Sequence, residues 1–177
     1  DTFHYFLSIK PNKDKLLLVC KIQQIPDRRT IDRRFQVLPI SNIISSMGNR
    51  FISEKLVDDK SASVDGSLLK AKGPVWHKSD MKNNRLPIAG IDKDAKWGFS
   101  KSKGWIFGYK LHMSCSTGKL IVPLSAEITT ANVHDGKMFE TLVESLAGLV
   151  ENILCDPAYD SKSLYQYSNK NHLRLIT

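Results

Sequence analysis

The chain has 177 residues, of which 41% are hydrophobic and 25% are charged; these values fit a soluble globular protein and exclude a disordered or fibrous one. The formal net charge is +8, with 11 basic and 7 acidic side chains in residues 1–60, 10 and 4 in residues 61–110, and 5 and 7 in residues 111–177. This distribution is compatible both with an ordinary basic protein and with a surface that binds a polyanion.

The sequence has no sign of a membrane or secretory protein. Its longest apolar run, residues 16–20, is flanked by lysines and is far shorter than the roughly 18 residues of a membrane span. The first residues lack the basic-then-apolar order of a secretory signal. Three cysteines, Cys20, Cys115 and Cys155, without a CxxC spacing indicate neither a disulfide framework nor a zinc knuckle. We therefore expect a cytoplasmic protein.

Residues 1–60 read as helical. Residues 13–24 have a broad apolar face that ends before Pro26, and Asp27 is placed to cap a helix that runs to Leu38. A third helix is expected from residue 41 to about residue 57, before a polar stretch at residues 58–63. We predict that residues 1–60 form a helical N-terminal region for DNA binding or dimerisation.

A basic ridge is predicted on the second of these helices. Its members are Arg28, Arg29, Arg33 and Arg34. Such a ridge suits contacts with DNA phosphates. The alternative is a solvated helix face on which Asp27 and Asp32 are the partners of the arginines.

From residue 61 the pattern changes to that of an α/β domain with a mixed sheet. Residues 63–69 alternate as a strand, and residues 71–103 are mostly loop. Two aromatic and β-branched segments around a Gly-containing turn predict a hairpin. The later elements are a helix capped by Asp135, a strand, a helix and a strand. The hairpin strands are expected at residues 105–115 and 119–129. The first helix is expected at 136–149, the next strand at 152–156, the second helix at 158–170 and the last strand at 172–177.

Two acids lie on or at the end of short apolar strands. Asp65 follows Val64, and Asp156 follows Ile153–Cys155. A carboxylate beside a buried strand needs a donor or a cation to offset its desolvation. If the two strands are neighbours, the acids can share a hard divalent cation such as Mg²⁺ or Mn²⁺. The alternative is that they are two unrelated capping acids.

Four segments in order resemble the catalytic domain of bacterial insertion-sequence transposases of the DDE class. They are SVDGSLLKAKG, IDKDAKWGFSKSKGWIFGYKLHM, ITTANVHDGKMF and ILCDPAYDS. The resemblance implies a ribonuclease-H-like fold over residues 61–177. It also implies DNA cleavage and strand transfer with two metal ions, on double-stranded transposon ends and target DNA. A homodimer in a bacterial, nucleoid-associated setting is expected for the whole protein.

Carried over by position, the resemblance makes Asp65 the first catalytic acid and metal ligand. Asp156 is the second, in the family's pattern of Asp, two variable residues and Tyr, here ending at Tyr159. The family's third acid is a downstream Glu that has no counterpart before Thr177. We therefore expect the core to be incomplete at its C-terminus and cleavage by this chain to be lost or very slow. A decayed or repurposed transposase that only binds DNA is the alternative.

Further DNA contacts are expected in the first strand of the hairpin and in the segment that leads into it. Lys110 and His112 alternate on one strand and therefore face the same side; if Asp65 faces that side too, they can contact a scissile phosphate. For His112 the alternative is a hydrogen-bonded histidine at a sheet edge. Lys103 lies between Trp97 and Trp105, which can stack on unpaired bases, although packing in the core is the favoured reading for Trp105.

Overall fold

The computed structural model describes residues 2–57, 60–83, 85 and 89–177. The chain divides into two compact units, Asp1–Pro39 and Ile40–Thr177. This division falls earlier than the boundary expected at residue 60. In the part of the chain that the structure describes, each helix is too short or too polar to cross a membrane.

The first unit contains three helices: α1 (Thr2–Ser8), α2 (Lys10–Cys20) and α3 (Arg28–Val37). The predicted cap of α3 is present, because Asp27 accepts a hydrogen bond from the Thr30 backbone N–H at 3.1 Å. This bond also lowers the pKa of the Asp27 carboxyl. Helix α2 ends before the predicted Gln24, since Lys21 adopts a left-handed conformation with φ 52°. Neither α2 nor α3 has a buried residue.

The second unit is a mixed sheet with flanking helices. Its strands are β1 (Ser61–Lys70), β2 (Lys96–Ser100), β3 (Gly104–Ser116), β4 (Pro123–Thr130), β5 (Asn152–Cys155) and β6 (Arg174–Ile176). Its helices are α4 (Ile40–Ser53), α5 (Lys78–Lys82), α6 (Phe139–Val143) and α7 (Lys162–Lys170). Helix α4 packs on β4, where Gly48 lies against the backbone of Leu124. The helix predicted to begin at residue 41 therefore belongs with the sheet.

The strand order is β2-β3-β1-β5-β6, and β4 also pairs with β3. Strand β1 is antiparallel to β3 and parallel to β5. The predicted α/β mixed sheet is confirmed. Strand β2 lies in the stretch predicted as loop and pairs with the first residues of β3.

The hydrophobic core covers one face of this sheet. It joins Val64 of β1 and Ile153 of β5 to Phe139 and Leu142 of α6. The helix predicted over residues 136–149 is instead α6 between two short 3₁₀ turns, Asp135–Lys137 and Glu144–Leu146. Five residues were predicted on its inward side: Phe139, Leu142, Val143 and Leu146 are buried, and Met138 is half-buried.

Candidate active site

Asp65 and Asp156 reach neighbouring positions because of the parallel pairing of β1 and β5. The last paired residues of these strands are Val64 and Cys155, and the two acids follow them directly. Strand β5 stops there, while β1 continues to Lys70. Where β1 extends beyond the end of β5, there is a polar cleft of about 300 Å³ that both acids line. We call these two exposed carboxylates the cleft lip.

The cleft lip carries two negative charges without a cationic partner. Asp65 Oδ1 accepts the Gly66 N–H at 2.7 Å, and Asp156 Oδ1 accepts the Ala158 N–H at 3.0 Å. Among the described residues, neither acid forms an ion pair. Burial, together with the charges of Asp156 and Asp65, raises the pKa of the neighbouring Cys155 thiol to about 12.

The donor chemistry of the lip fits one hard divalent cation in part. Two carboxylates are ligands that Mg²⁺ and Mn²⁺ prefer, and water completes the shell of such an ion. No group of three or more His, Cys, Asp or Glu side chains within the described ranges is arranged to hold a metal. The two acids are therefore candidate ligands for one ion, and the described residues contain no set of three for a larger site.

A second set of residues, which we call the cleft floor, is grouped around Asp135. Gly66, Lys110 and Asp135 line the cleft, and His112 contacts Asp135. Lys110 Nζ pairs with Asp135 Oδ2 at 3.2 Å, and His112 Nδ1 lies 3.3 Å from Asp135 Oδ1. A Cβ atom at residue 66 would overlap Asp135 Oδ1 and lie 3.3 Å from Lys110 Cδ. Glycine at this position therefore leaves the space that the Asp135 carboxylate occupies.

His112 is fully buried, with 0% of its surface exposed, and its Nε2 is 2.8 Å from Thr129 Oγ1. Burial lowers the pKa of His112, and this effect outweighs the opposing charge of Asp135. The imidazole is therefore neutral at pH 7 and, as placed, has no surface with which to contact a phosphate.

The register of β1 and β3 decides whether Lys110 and His112 share the side of Asp65, and they do not. Asp65 is paired with Met113 and Gly66 with His112, and directly opposed residues point to the same face. Lys110 and His112 therefore lie on the face opposite to Asp65. Lys110 still lines the cleft, since the end of β5 opens the sheet edge to both faces.

Asp135 was predicted as a helix cap, and that prediction is wrong. His134 is the cap, because its Nδ1 accepts the Gly136 N–H at 3.2 Å. This leaves the Asp135 carboxylate for Lys110 and His112. The sequence signals that could have indicated this role are the adjacent pair His134–Asp135 and the glycine that follows Asp65.

Tyr159, which follows Asp156 in the Asp-x-x-Tyr pattern, lies behind the lip. It is buried, and its hydroxyl has no hydrogen-bond partner among the described residues. Burial raises the pKa of Tyr159, and the charge of Asp135 adds to this effect. The phenol therefore stays protonated and packs against Phe139, with ring centroids 6.0 Å apart.

One wall of the cleft comes from the β2–β3 hairpin. Lys103 is exposed, and its Nζ donates to Ser67 Oγ and to the Leu68 carbonyl, both at 3.4 Å. Phe99 also lines the cleft. Trp105 is 60% exposed, so the favoured prediction that it packs in the core is wrong.

The four arginines predicted to bind DNA lie on α3 in the first unit, and all are exposed. Arg28 forms an ion pair with Asp32 at 3.6 Å. Arg29 and Arg33 line a surface depression of about 500 Å³. Exposure of the arginines is compatible with both alternatives, a ridge that contacts DNA and a solvated helix face.

Comparison with known proteins gives two matches. A cryo-EM structure of a piggyBac transposase synaptic complex with hairpin DNA aligns with 84% of this chain and 29% of its own, at 17% identity and a TM-score of 0.42. No curated protein matches the chain. The family model described as "Transposase DDE domain" matches residues 56–176, which include every strand of the sheet and both acids of the lip. The mixed sheet confirms the ribonuclease-H-like fold class, and the chain belongs to the transposase DDE domain family.

Proposed function

We propose that the chain is part of a DNA transposase that uses Mg²⁺ or Mn²⁺ for phosphodiester cleavage and strand transfer at transposon ends. One observation carries this proposal: Asp65 and Asp156 follow the last paired residues of two adjacent parallel strands and line one open cleft. The segment that supplies them lies within the family match.

The side chains that line the cleft have different proposed roles, according to their exposure and charge. Asp65 and Asp156 would hold the cation, which supplies charge stabilisation to the attacking and leaving oxygens at phosphorus. Lys103 and Lys110 line the same cleft and bind the DNA backbone as cations. Asp135 holds the Lys110 ammonium at 3.2 Å and so sets where that charge lies.

The third carboxylate of the reaction is proposed to come from residues outside 1–177. The described part of this chain contains no set of three ligands for a metal, and no glutamate between the two acids lines the cleft. We propose an origin in a bacterial insertion sequence, action as a homodimer, and a cytoplasmic, nucleoid-associated location for the whole protein. Residues 1–60 are proposed to bind DNA or to dimerise.

A second candidate is a DNA-binding protein without catalysis, derived from a transposase. The absence of a three-ligand set among the described residues favours it, as do the exposed arginines of α3. Binding to duplex DNA through these cations would have little sequence specificity, and its affinity would fall steeply as the salt concentration rises.

A nicking assay separates the two candidates. Supercoiled plasmid is incubated with Mn²⁺ and either the 177-residue chain or a chain extended by its downstream coding sequence. We expect nicking by the extended chain, loss of nicking in its Asp65→Asn variant, and retention in an Asp160→Asn control. An extended chain that binds plasmid but does not nick it would favour the binding protein. Efficient nicking by the 177-residue chain would contradict the proposal that the third acid lies elsewhere.

A further inference from the structure

Two aromatic side chains at the tip of the β2–β3 hairpin are exposed side by side. Phe99 and Trp105 are directly opposed in the antiparallel pairing. They are 57% and 60% exposed, and their ring centroids are 5.3 Å apart with the planes tilted by 58°. Exposed apolar groups in contact with each other mark an interaction surface more often than scattered ones do.

The base of the same hairpin is held firmly, in contrast to its tip. Trp97 packs against Phe107, with ring centroids 5.6 Å apart, and the Trp97 Nε1–H donates to the Trp76 carbonyl at 2.9 Å. Phe99 and Trp105, which we call the tip pair, therefore lie on an anchored pair of strands. This limits the conformational entropy that the protein loses when a ligand stacks on them.

The charge around the tip pair is positive. Lys78 Nζ lies 3.3 Å from the centroid of the Trp105 ring, a cation–π contact. Lys101 and Lys103 stand in the turn between the two aromatic residues. Aromatic faces combined with lysines are the two components by which proteins bind single-stranded nucleic acid, through base stacking and phosphate pairing.

The tip pair is also continuous with the cleft. Phe99 and Lys103 line the cleft that contains Asp65 and Asp156. A nucleotide beside a phosphodiester in the cleft would therefore meet the aromatic tip directly. A base inside a duplex has its faces covered by its neighbours, so only an unpaired base can stack there.

We propose that Phe99 and Trp105 form a stacking site for an unpaired nucleobase of the DNA strand that enters the cleft, with Lys78 and Lys103 pairing with the adjacent phosphates. The base takes the place of the Lys78 ammonium on the Trp105 ring, and the released ammonium pairs with the next phosphate. This inference rests on the proposed function, because it assigns the form of DNA that the same cleft receives.

The test measures binding of fluorescein-labelled oligothymidine of ten nucleotides by anisotropy, in buffer with EDTA at fixed salt. Trp105→Ala should weaken binding about 5- to 150-fold, the range expected for loss of one stacked base. Phe99→Ala should weaken it less, and Trp105→Phe should restore most of the affinity. The matched control is Ile128→Ala, which removes an apolar side chain of similar exposure, 63%, from β4; it should bind like the parent.

A second arm uses a blunt ten-base-pair duplex, for which Trp105→Ala should change affinity less than twofold. Equal loss for both probes, or no loss for oligothymidine, would overturn the stacking site. Thermal melting of each variant checks that the fold is kept. If Trp105→Ala converts a dimer to a monomer in sedimentation while oligothymidine affinity is unchanged, the tip is a subunit contact and the proposal fails. Because no metal is present, these results are independent of nicking by the extended chain, so either proposal can fail alone.

Discussion

The lip and the floor of the cleft carry the same type of residue in opposite settings. Asp65 and Asp156 at the lip are exposed and unpaired with any cationic side chain in the described ranges. Asp135 at the floor is largely buried and is neutralised by Lys110 at 3.2 Å. A carboxylate that is paired inside the protein stabilises the fold, whereas one that is left unpaired at an open edge is available to an external cation. We therefore expect the three acids around this cleft to have two different roles.

The largest effect on stability is expected at the floor. Asp135→Asn leaves the mostly buried Lys110 ammonium without its partner, and removal of one member of a buried ion pair costs about 3 kcal/mol at the low end of the usual range. For a chain of this size such a loss lowers Tm by roughly 6–12 °C. Thermal and urea unfolding, compared with an Asp160→Asn control, measure it. A Tm equal to that of the parent would remove the structural role of Asp135.

A smaller loss is expected for Gly66→Ala. The new methyl group overlaps Asp135 Oδ1, and overpacking of this kind costs about 1–3 kcal/mol. Gly136→Ala is the control, because a Cβ there would meet its nearest atom at 3.4 Å.

The cause of the Gly66 effect can be isolated by a double-mutant cycle. If the clash with Asp135 is responsible, Gly66→Ala combined with Asp135→Ala should destabilise the protein less than the sum of the single changes. Additive costs would show that the loss caused by Gly66→Ala does not come from the clash with Asp135.

The third prediction concerns the pH dependence of stability. Burial lowers the pKa of His112 below its ordinary 6.5, so below about pH 6.5 the unfolded chain takes up a proton that the folded chain does not. The free energy of unfolding should therefore fall as the pH falls below 6.5, by at most about 1.4 kcal/mol per pH unit for one proton. His112→Gln should reduce this slope, and the exposed His77→Gln control should keep it. A slope unchanged in His112→Gln would show that the histidine is not buried as a neutral group.

The smallest effect on stability is expected at the lip. Asp65→Asn and Asp156→Asn remove exposed charges that have no cationic partner among the described residues, and such changes usually shift stability by less than about 0.5 kcal/mol. Urea unfolding without metal checks this. A loss as large as that of Asp135→Asn would mean that the lip, like the floor, serves the fold.

Local sequence patterns were sufficient to predict the strands that carry the lip. Apolar runs placed Asp65 and Asp156 on two strands, and their parallel pairing brings them together. Strand β2 was missed because its five residues lie in a stretch rich in lysine, aspartate and glycine, and it is stabilised by pairing with β3 rather than by its own composition.

The floor could not be predicted, because it depends on contacts between distant parts of the chain. Asp135 reaches Lys110 only through the register of β3 and the turn after β4, and Gly66 matters only once Asp135 is there. Whether His112 lies on the same face as Asp65 depends on the register between β1 and β3, because a shift of one residue moves every side chain of a strand to the other face. The sequence pattern shows that Lys110 and His112 share one face of β3, but it does not show which residues of β1 lie on that face.

The central claim, that the cleft lip is the site of a divalent cation, is tested most directly by titrating Mn²⁺ into the parent chain and its Asp65→Asn variant and following free Mn²⁺ by electron paramagnetic resonance. Two carboxylates supply only part of the ion's shell and water fills the rest, so the parent should bind one Mn²⁺ weakly. Asp65→Asn should lose at least about tenfold in affinity, since loss of a group that only orients a ligand already costs about 10- to 100-fold, while Asp160→Asn binds like the parent. Equal Mn²⁺ affinity in the parent and in Asp65→Asn would contradict the assignment of the site.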